Sequence, residues 1–266
     1  MAGPGCDATG AAEALLRTGL SERGLAILSG VRTLEGILRK QEAGRVRLDR
    51  DWRDPGLYVL AIFGAPTPTT TWAWRLEGHH GSWNFTLAGE RISLTPRFQG
   101  ANPATVRGGP HDGLRLLGPE EDAARHVLAG LDAAGRARAV VSTRAPPMPQ
   151  PSGNPDLTRE RRRGVALGTL TAAQQARVWA LVETWAAALH PTLAAAELAR
   201  ARATRPGALH FAWMGGLRAG APCFFRVHGD TLHIEYGRSG NHVHSVWRDP
   251  AGDFRPPPAP KPSKTR

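Results

Sequence analysis

The chain has 266 residues, of which 41% are apolar, so it is long and apolar enough for a globular fold with a sizeable core. Its net charge of +11 comes mainly from arginines spread along the chain. No zinc finger, RNA-recognition signature or clear helix-turn-helix accompanies this charge, so we expect no specific nucleic-acid partner, and a high-GC bacterial genome accounts for the arginine content.

Cysteine content and hydropathy indicate the compartment. Cys6 and Cys223 are too few and too far apart for a disulfide framework. The first residues lack a basic segment followed by an apolar core, so no secretory signal is predicted. No apolar run reaches the roughly eighteen residues of a membrane span. We therefore expect a soluble cytoplasmic protein without membrane contact, and the oligomeric state stays open.

The N-terminal half is predicted to begin with helices and continue with strands. Apolar residues at helical spacing predict one or two helices over residues 11–41, with a break near Ser21. The wholly apolar run 57–63 predicts a buried strand, and 72–87 predicts a second strand with a hairpin partner at 91–97. Residues 98–110 are predicted to be a loop.

The C-terminal half repeats this order. We predict an amphipathic helix over 119–137, and Thr171 with Gln174 forms a capping box that opens a second helical region. The later segments predicted as strands are 208–214, 223–228, 231–236 and 242–248. Because helices and strands cluster rather than alternate, we predict an α+β fold with a largely antiparallel sheet and flanking helices.

One domain is expected to hold both halves. It covers residues 11–254, with a possible internal boundary in the Pro-, Ser- and Arg-containing linker 146–165. Residues 1–10 and the Pro- and Lys-rich tail 255–266 are predicted to be disordered.

Two adjacent histidines stand within the predicted 72–87 strand. Side chains alternate between the faces of a strand, so His80 shares its polar face with Asn84. His79 falls on the apolar face, and we expect it to pack in the core with its ring nitrogens bonded to backbone. His80 is therefore the better candidate for chemistry.

A second pair of histidines opens the last predicted strand. His242 and His244 are two residues apart, so both point to one face, about 6.6–7 Å apart along the strand. The turn 237–241 pairs this strand with 231–236 in a hairpin, which can bring Glu235 to the same face.

These motifs resemble the bacterial family catalogued as domain of unknown function 3500. The resemblance rests on EGHHGSWNFT, GANPA and NHVHSVWRDPAGDF, with FAWMGG and IEY between them, and it extends over residues 11–254. The chain differs where Cys223 stands in place of a usual histidine, which would alter a metal site if that histidine were a ligand. The family name implies no reaction.

The histidines predict a transition-metal site. We expect His80, His242 and His244 to be ligands, with His79 as an additional candidate and Glu235 as fourth ligand or outer partner. Because no set of thiolates accompanies them, copper or iron is favoured and zinc stays possible. The alternative interpretation is that these histidines are hydrogen-bonded polar groups of the core.

The expected function is a metal-dependent oxidoreductase or oxygenase that acts on a small molecule. A metal-dependent hydrolase or lyase and a non-catalytic metal- or ligand-binding protein are the alternatives. The candidate catalytic residues are Glu235, Asn84 and Arg248, and the candidate substrate contacts are Asn102, Arg75 and Arg226. For Asn102, a simple role as the turn residue before Pro103 is the favoured explanation over a substrate contact.

Overall fold

The computed structural model describes residues 8–43, 53–149, 162–250 and 252–255. These residues form six α-helices: α1 Ala8–Gly19, α2 Glu22–Glu42, α3 Gly118–Gly130, α4 Ala133–Ala139, α5 Ala172–Ala186 and α6 Pro191–Arg202. They also form eleven strands: β1 Val59–Phe63, β2 Thr71–Gly78, β3 Gly81–Ala88, β4 Arg91–Ser93, β5 Arg97–Ala101, β6 Val140–Ser142, β7 Val165–Ala166, β8 His210–Gly215, β9 Cys223–His228, β10 His233–Ser239 and β11 His242–Arg248. In this part of the chain no helix is long and apolar enough to cross a membrane.

One sheet contains all eleven strands. Its order is β1-β2-β3-β5-β11-β10-β9-β8-β6, with β4 beside β3 and β7 beside β8. The pairing of β6 with β8 is parallel and the others are antiparallel. The two halves of the chain meet where β5 pairs with β11, with Phe98 opposite Val246. The predicted α+β class is confirmed.

The predicted segment boundaries fall partly on residues that the structure leaves undescribed. Within the predicted linker, residues 150–161 lie outside the described ranges, and β6 and β7 on either side of it both pair with β8. Of the predicted disordered start, residues 1–7 lie outside those ranges and 8–10 open α1. Of the predicted tail, only Arg255 is described.

One face of the sheet is covered by helices and holds much of the core. Phe225 stacks between Trp213 and Tyr236, with ring centroids 5.8 and 4.9 Å away. From α5, Trp185 packs against Phe225 and donates from Nε1 to Ser245 Oγ at 2.7 Å. Because side chains alternate along β11, His244, which precedes Ser245, and His242, two residues before His244, point to the opposite face of the sheet.

Helix α2 brings a carboxylate into the core. Ser21, the predicted break, is its N-cap and accepts a hydrogen bond from the Gly24 N–H at 3.1 Å. The inner face of the helix buries Val31 and Leu34, and beside them Glu35 with 1% of its surface exposed. A buried carboxylate is costly unless it has partners, and those of Glu35 lie in the histidine cluster described below.

Two strand predictions are wrong. Residues 72–87 are not one strand, because the chain reverses in a tight turn at His79 and His80, with Gly78 opposite Gly81. The apolar run 57–63 is not buried, because β1 is the edge strand of the sheet and Val59 is 65% exposed. Periodicity alone does not reveal a two-residue turn or the position of a strand in the sheet.

Two further boundaries also differ from prediction. The predicted loop 98–110 begins as strand β5, which reaches Ala101 before the chain leaves the sheet. The predicted helix 119–137 is two helices, because Asp132 caps a new helix through a 2.6 Å hydrogen bond from the Gly135 N–H.

Candidate metal centre

The hairpin of β10 and β11 positions the first two imidazoles. His242 lies opposite Ser239 and His244 opposite Gly237, so both histidines project from the same face of β11. Their ring centroids are 4.6 Å apart. The predicted hairpin and the shared direction of this pair are confirmed, but the turn is shorter than the predicted 237–241 because β10 continues to Ser239.

The turn between β2 and β3 brings His80 to the same place. The His80 carbonyl accepts a hydrogen bond from the Gly100 N–H at 2.8 Å, which fixes the turn against β5, the neighbour of β11. Nε2 of His80 lies 3.0 Å from Nε2 of His242, and the His80 and His244 ring centroids are 5.5 Å apart. The three imidazoles therefore converge on one point, as predicted.

Gly100 leaves room for this convergence. A Cβ at Gly100 would lie 2.5 Å from Cδ2 of His80 and 3.2 Å from Cδ2 of His244. The GANPA motif therefore requires glycine at this position, because any larger residue would push the rings apart.

Partners on the outer ring nitrogens orient two of the three imidazoles. Nδ1 of His244 is 2.9 Å from the carbonyl oxygen of Pro149, to which it can donate. Nδ1 of His80 is 3.1 Å from Oε1 of Glu35, at ion-pair distance but outside good hydrogen-bond geometry. Both arrangements favour a proton on Nδ1 and leave the Nε2 lone pair directed inward, which is how proteins orient metal-ligating histidines.

All three imidazoles are held neutral. Burial lowers the pKa of His80, and burial with the neighbouring rings lowers the pKa of His242 to about 3. Burial also lowers the pKa of His244 to about 4, although the hydrogen bond to Pro149 opposes the shift. Neutral rings at pH 7 carry the lone pairs that a metal ion requires.

The distances fit one small ion. Metal–imidazole bonds of about 2.0–2.1 Å place neighbouring ligand nitrogens roughly 3 Å apart. One donor atom from each of His80, His242 and His244 lies within 4.8 Å of the others. We call these three residues the histidine triad.

Glu35 is the residue at this site that the sequence analysis missed. Its Oε1 lies 2.7 Å from Nδ1 of His79 as well as 3.1 Å from Nδ1 of His80. Burial alone would raise the pKa of Glu35, but the contacts with these two histidines lower it to about 2. A carboxylate on the buried stripe of α2, four residues after Val31, was the available sequence signal.

His79 and Arg53 complete the outer side of the site. His79 stacks on His80 with centroids 3.9 Å apart, and its side chain is one-third exposed, so the prediction that it packs in the core is wrong. Nη1 of Arg53 lies 2.9 Å from Nδ1 of His79 and 3.4 Å from Oε2 of Glu35. Nε and Nη2 of Arg53 each donate to a Glu42 oxygen at 3.0 Å.

Glu235 does not join the triad. It lies opposite Val246 on the face of His244, but it forms ion pairs with Arg226 and with His233, the latter at 3.2 Å. Neither group of possible metal ligands found among the described residues includes it. Glu35, two hundred residues earlier in the chain, stands beside the imidazoles instead.

The other predicted catalytic residues have structural partners. Nδ2 of Asn84 donates to the Pro96 carbonyl at 2.8 Å inside the sheet. Arg248 pairs with Asp253 at 3.0 Å, although Asp249 is its neighbour in sequence.

The predicted substrate contacts are scattered. Arg75 pairs with Glu77 at 2.8 Å on β2, far along the sheet order from Arg226 on β9. Asn102 follows directly after β5, and two residues later Ala104 N donates to the Asn241 carbonyl at 2.6 Å. Of the three predicted substrate contacts, Asn102 is therefore the residue that lies next to the turn preceding His242.

Cys223 lies away from the triad. It is opposite Arg238, which is opposite Val243, so its side chain is on the helix-covered face of the sheet. Its nearest polar partner is Nη2 of Arg125, 3.8 Å from Sγ. Cys223 therefore lies on the opposite face of the sheet from His242 and His244.

An α+β fold with three converging imidazoles and a buried carboxylate defines a protein with a candidate metal centre. The chain belongs to the DUF3500 family, whose description is a protein of unknown function, and the family model matches residues 7–255. Neither a curated protein nor a solved structure matches the chain.

Proposed function

We propose that the protein is a metal-dependent enzyme in which the histidine triad binds one transition-metal ion. The 3.0 Å approach of Nε2 of His80 to Nε2 of His242 carries this proposal, because two neutral ring nitrogens at that distance suit adjacent ligands of one ion. Three protein ligands leave coordination positions open for water, dioxygen or substrate.

The alternative is that these histidines only form hydrogen bonds with one another in the core and bind no metal. A single N–H···N hydrogen bond between His80 and His242 would account for the 3.0 Å distance. It would leave Nε2 of His244, a buried atom without a hydrogen bond in the described structure, unsatisfied. An unsatisfied buried polar atom costs about 1–3 kcal/mol, and an ion shared by all three rings removes that cost.

The favoured reaction class is oxidation of a small molecule by a copper or iron centre. Imidazole donors suit both ions, and the site includes no thiolate among its described residues. A redox ion with open positions supplies electron-transfer chemistry toward dioxygen. The protein supplies the rest: Pro149 and Glu35 orient the rings, and burial keeps them neutral.

A zinc-dependent hydrolase or lyase is the second candidate. Three histidines, two of which face a carboxylate or a carbonyl with the outer ring nitrogen, also match the ligand arrangement of catalytic zinc, which lowers the pKa of a bound water. A non-catalytic metal-binding protein would use the same ligands without turnover.

The substrate is proposed to approach from the side of His242, the most exposed member of the triad. Asn102 is retained as a candidate contact because the chain that follows it bonds to Asn241. We further propose a bacterial, cytoplasmic protein, an assignment that rests on the arginine-rich composition and on the small number of cysteines.

Elemental analysis of the purified protein tests the metal. We expect close to one transition-metal ion per chain, and none in His242→Ala, because the substitution removes one of three ligands. His126→Ala, on the exposed side of α3, is the matched control and should load like the wild type. Electron paramagnetic resonance then separates copper and iron from zinc. A wild-type protein that takes up no transition metal would rule out both enzymatic candidates.

A further inference from the structure

We infer that the guanidinium of Arg53 occupies the place of a second metal ion and thereby keeps the centre mononuclear; the inference rests on the proposed metal-binding function. Glu35, His79 and His80 form a second group whose possible ligand atoms all lie within 4.8 Å of one another. Nη1 of Arg53 lies against this group, 2.9 Å from Nδ1 of His79 and 3.4 Å from Oε2 of Glu35.

The charges around Arg53 support this assignment. Its side chain is 7% exposed and connects two carboxylates, Glu35 and Glu42, the second through two hydrogen bonds of 3.0 Å. Arginine is always protonated in proteins, so it supplies a permanent positive charge there. A neutral residue at position 53 would leave two carboxylates beside an imidazole, with the charge and donor set that suit a divalent cation.

His80 connects the two positions. Its Nε2 belongs to the triad and its Nδ1 faces Glu35, so an ion at Glu35 would lie on the opposite edge of the same ring. With Arg53 in place, Glu35 stays an orienting partner of His80 and does not become a ligand. The centre is then restricted to one-metal chemistry, without a second ion to bridge substrate or water.

Titration of the full chain with Co(II), followed by elemental analysis after dialysis, tests the inference. We expect one ion per wild-type chain, even with metal in about tenfold excess, and two ions in Arg53→Met. Arg53→Lys keeps the positive charge and should bind one ion. In Arg53→Met with His79→Ala the second ion should be lost. A single ion in Arg53→Met, or two ions in the wild type, would overturn the inference.

Removal of a buried charge can prevent folding, so Arg53→Gln serves as a second variant that keeps a hydrogen-bond donor without the charge. It should also bind two ions, and Cu(II) loading should then give the coupled resonance signal of two neighbouring ions. A mononuclear Cu(II) signal in every folded variant contradicts the inference. Loss of all metal in His242→Ala with one ion in the wild type leaves the proposed function intact, so the two failures are distinguishable.

Discussion

The same face of the sheet carries two sets of three histidines that differ in one respect. In the triad, the donor atoms meet within 4.8 Å. In the second set, which we call the histidine row, His210, His228 and His233 lie opposite one another on β8, β9 and β10. Their ring centroids are 5.8 and 6.1 Å apart, and they form no group of possible ligands in the described structure.

The difference follows from the elements that carry the rings. Neighbouring strands in register hold their side chains side by side, at about the 4.8 Å strand spacing, so the rings of the row do not converge and two of them have partners outside the row. Nε2 of His228 faces the Arg163 carbonyl at 2.9 Å, and Nε2 of His233 faces Glu235 at 3.2 Å. The triad instead combines a strand with a turn that reaches over Gly100, and only that combination aims the donors at one point.

Gly100→Ala should move the ring nitrogens of the triad apart, so that they no longer meet at one point, as in the row. The new methyl group would lie 2.5 Å from Cδ2 of His80, so the ring must move and the affinity for metal should fall by at least about 100-fold. Gly207→Ala, where a Cβ meets nothing within 4 Å, is the matched control. Competition with a coloured chelator measures the affinity, and a Gly100→Ala value within threefold of wild type would contradict the proposed role.

Two carboxylates sharpen the comparison further. Glu35→Gln keeps the size of the side chain but removes the charge that orients His80, so metal affinity should fall by about 10- to 100-fold. Glu235→Gln changes the carboxylate of the row and should leave metal affinity unchanged, because Glu235 contacts His233 and Arg226. Equal losses in the two variants, measured by the same competition, would show that the sets are not distinct.

Acid should destabilise the metal-free protein, because His228 of the row is buried in its neutral form. Burial, the charge of Arg226 and the neighbouring rings lower the pKa of His228 to about 3, below an ordinary value of 6.5. The unfolded chain therefore binds this proton first, and the free energy of unfolding falls as the pH drops from about 6.5 toward 3. His228→Gln should remove up to about 1.4 kcal/mol per pH unit of this dependence.

Urea unfolding at several pH values measures the acid effect, with His126→Gln as the matched substitution at an exposed position. An unchanged slope in His228→Gln would mean that His228 is already protonated in the folded protein. His228 would then be an accessible, charged side chain instead of a buried neutral one.

Local patterns in the sequence were sufficient for several elements. The capping box of Thr171 and Gln174 is present at the start of α5, and β9 has the predicted bounds of Cys223–His228. The hairpin pairing of His242 and His244 also followed from alternation, because two-residue periodicity is a property of the strand itself. The family assignment and the α+β class are likewise confirmed.

Contacts between segments that are distant in sequence could not be predicted from local patterns. Glu35 joins the site because α2 packs against the sheet, and a carboxylate on a helix carries no mark of its partner 45 residues later in sequence. Glu235 was the plausible choice because it is near His242 in sequence, yet Arg226 on the adjacent strand pairs with it. Which strand lies beside which is set by the whole sheet and not by either strand alone.

The placement of Glu35 has a consequence for biogenesis. The carboxylate comes from the second helix, while His242 and His244 come from the last strand of the sheet. A nascent polypeptide still attached to the ribosome has the orienting carboxylate but not the last two ligands. Under the proposed function, the ion is therefore bound by the complete triad only after translation has passed β11.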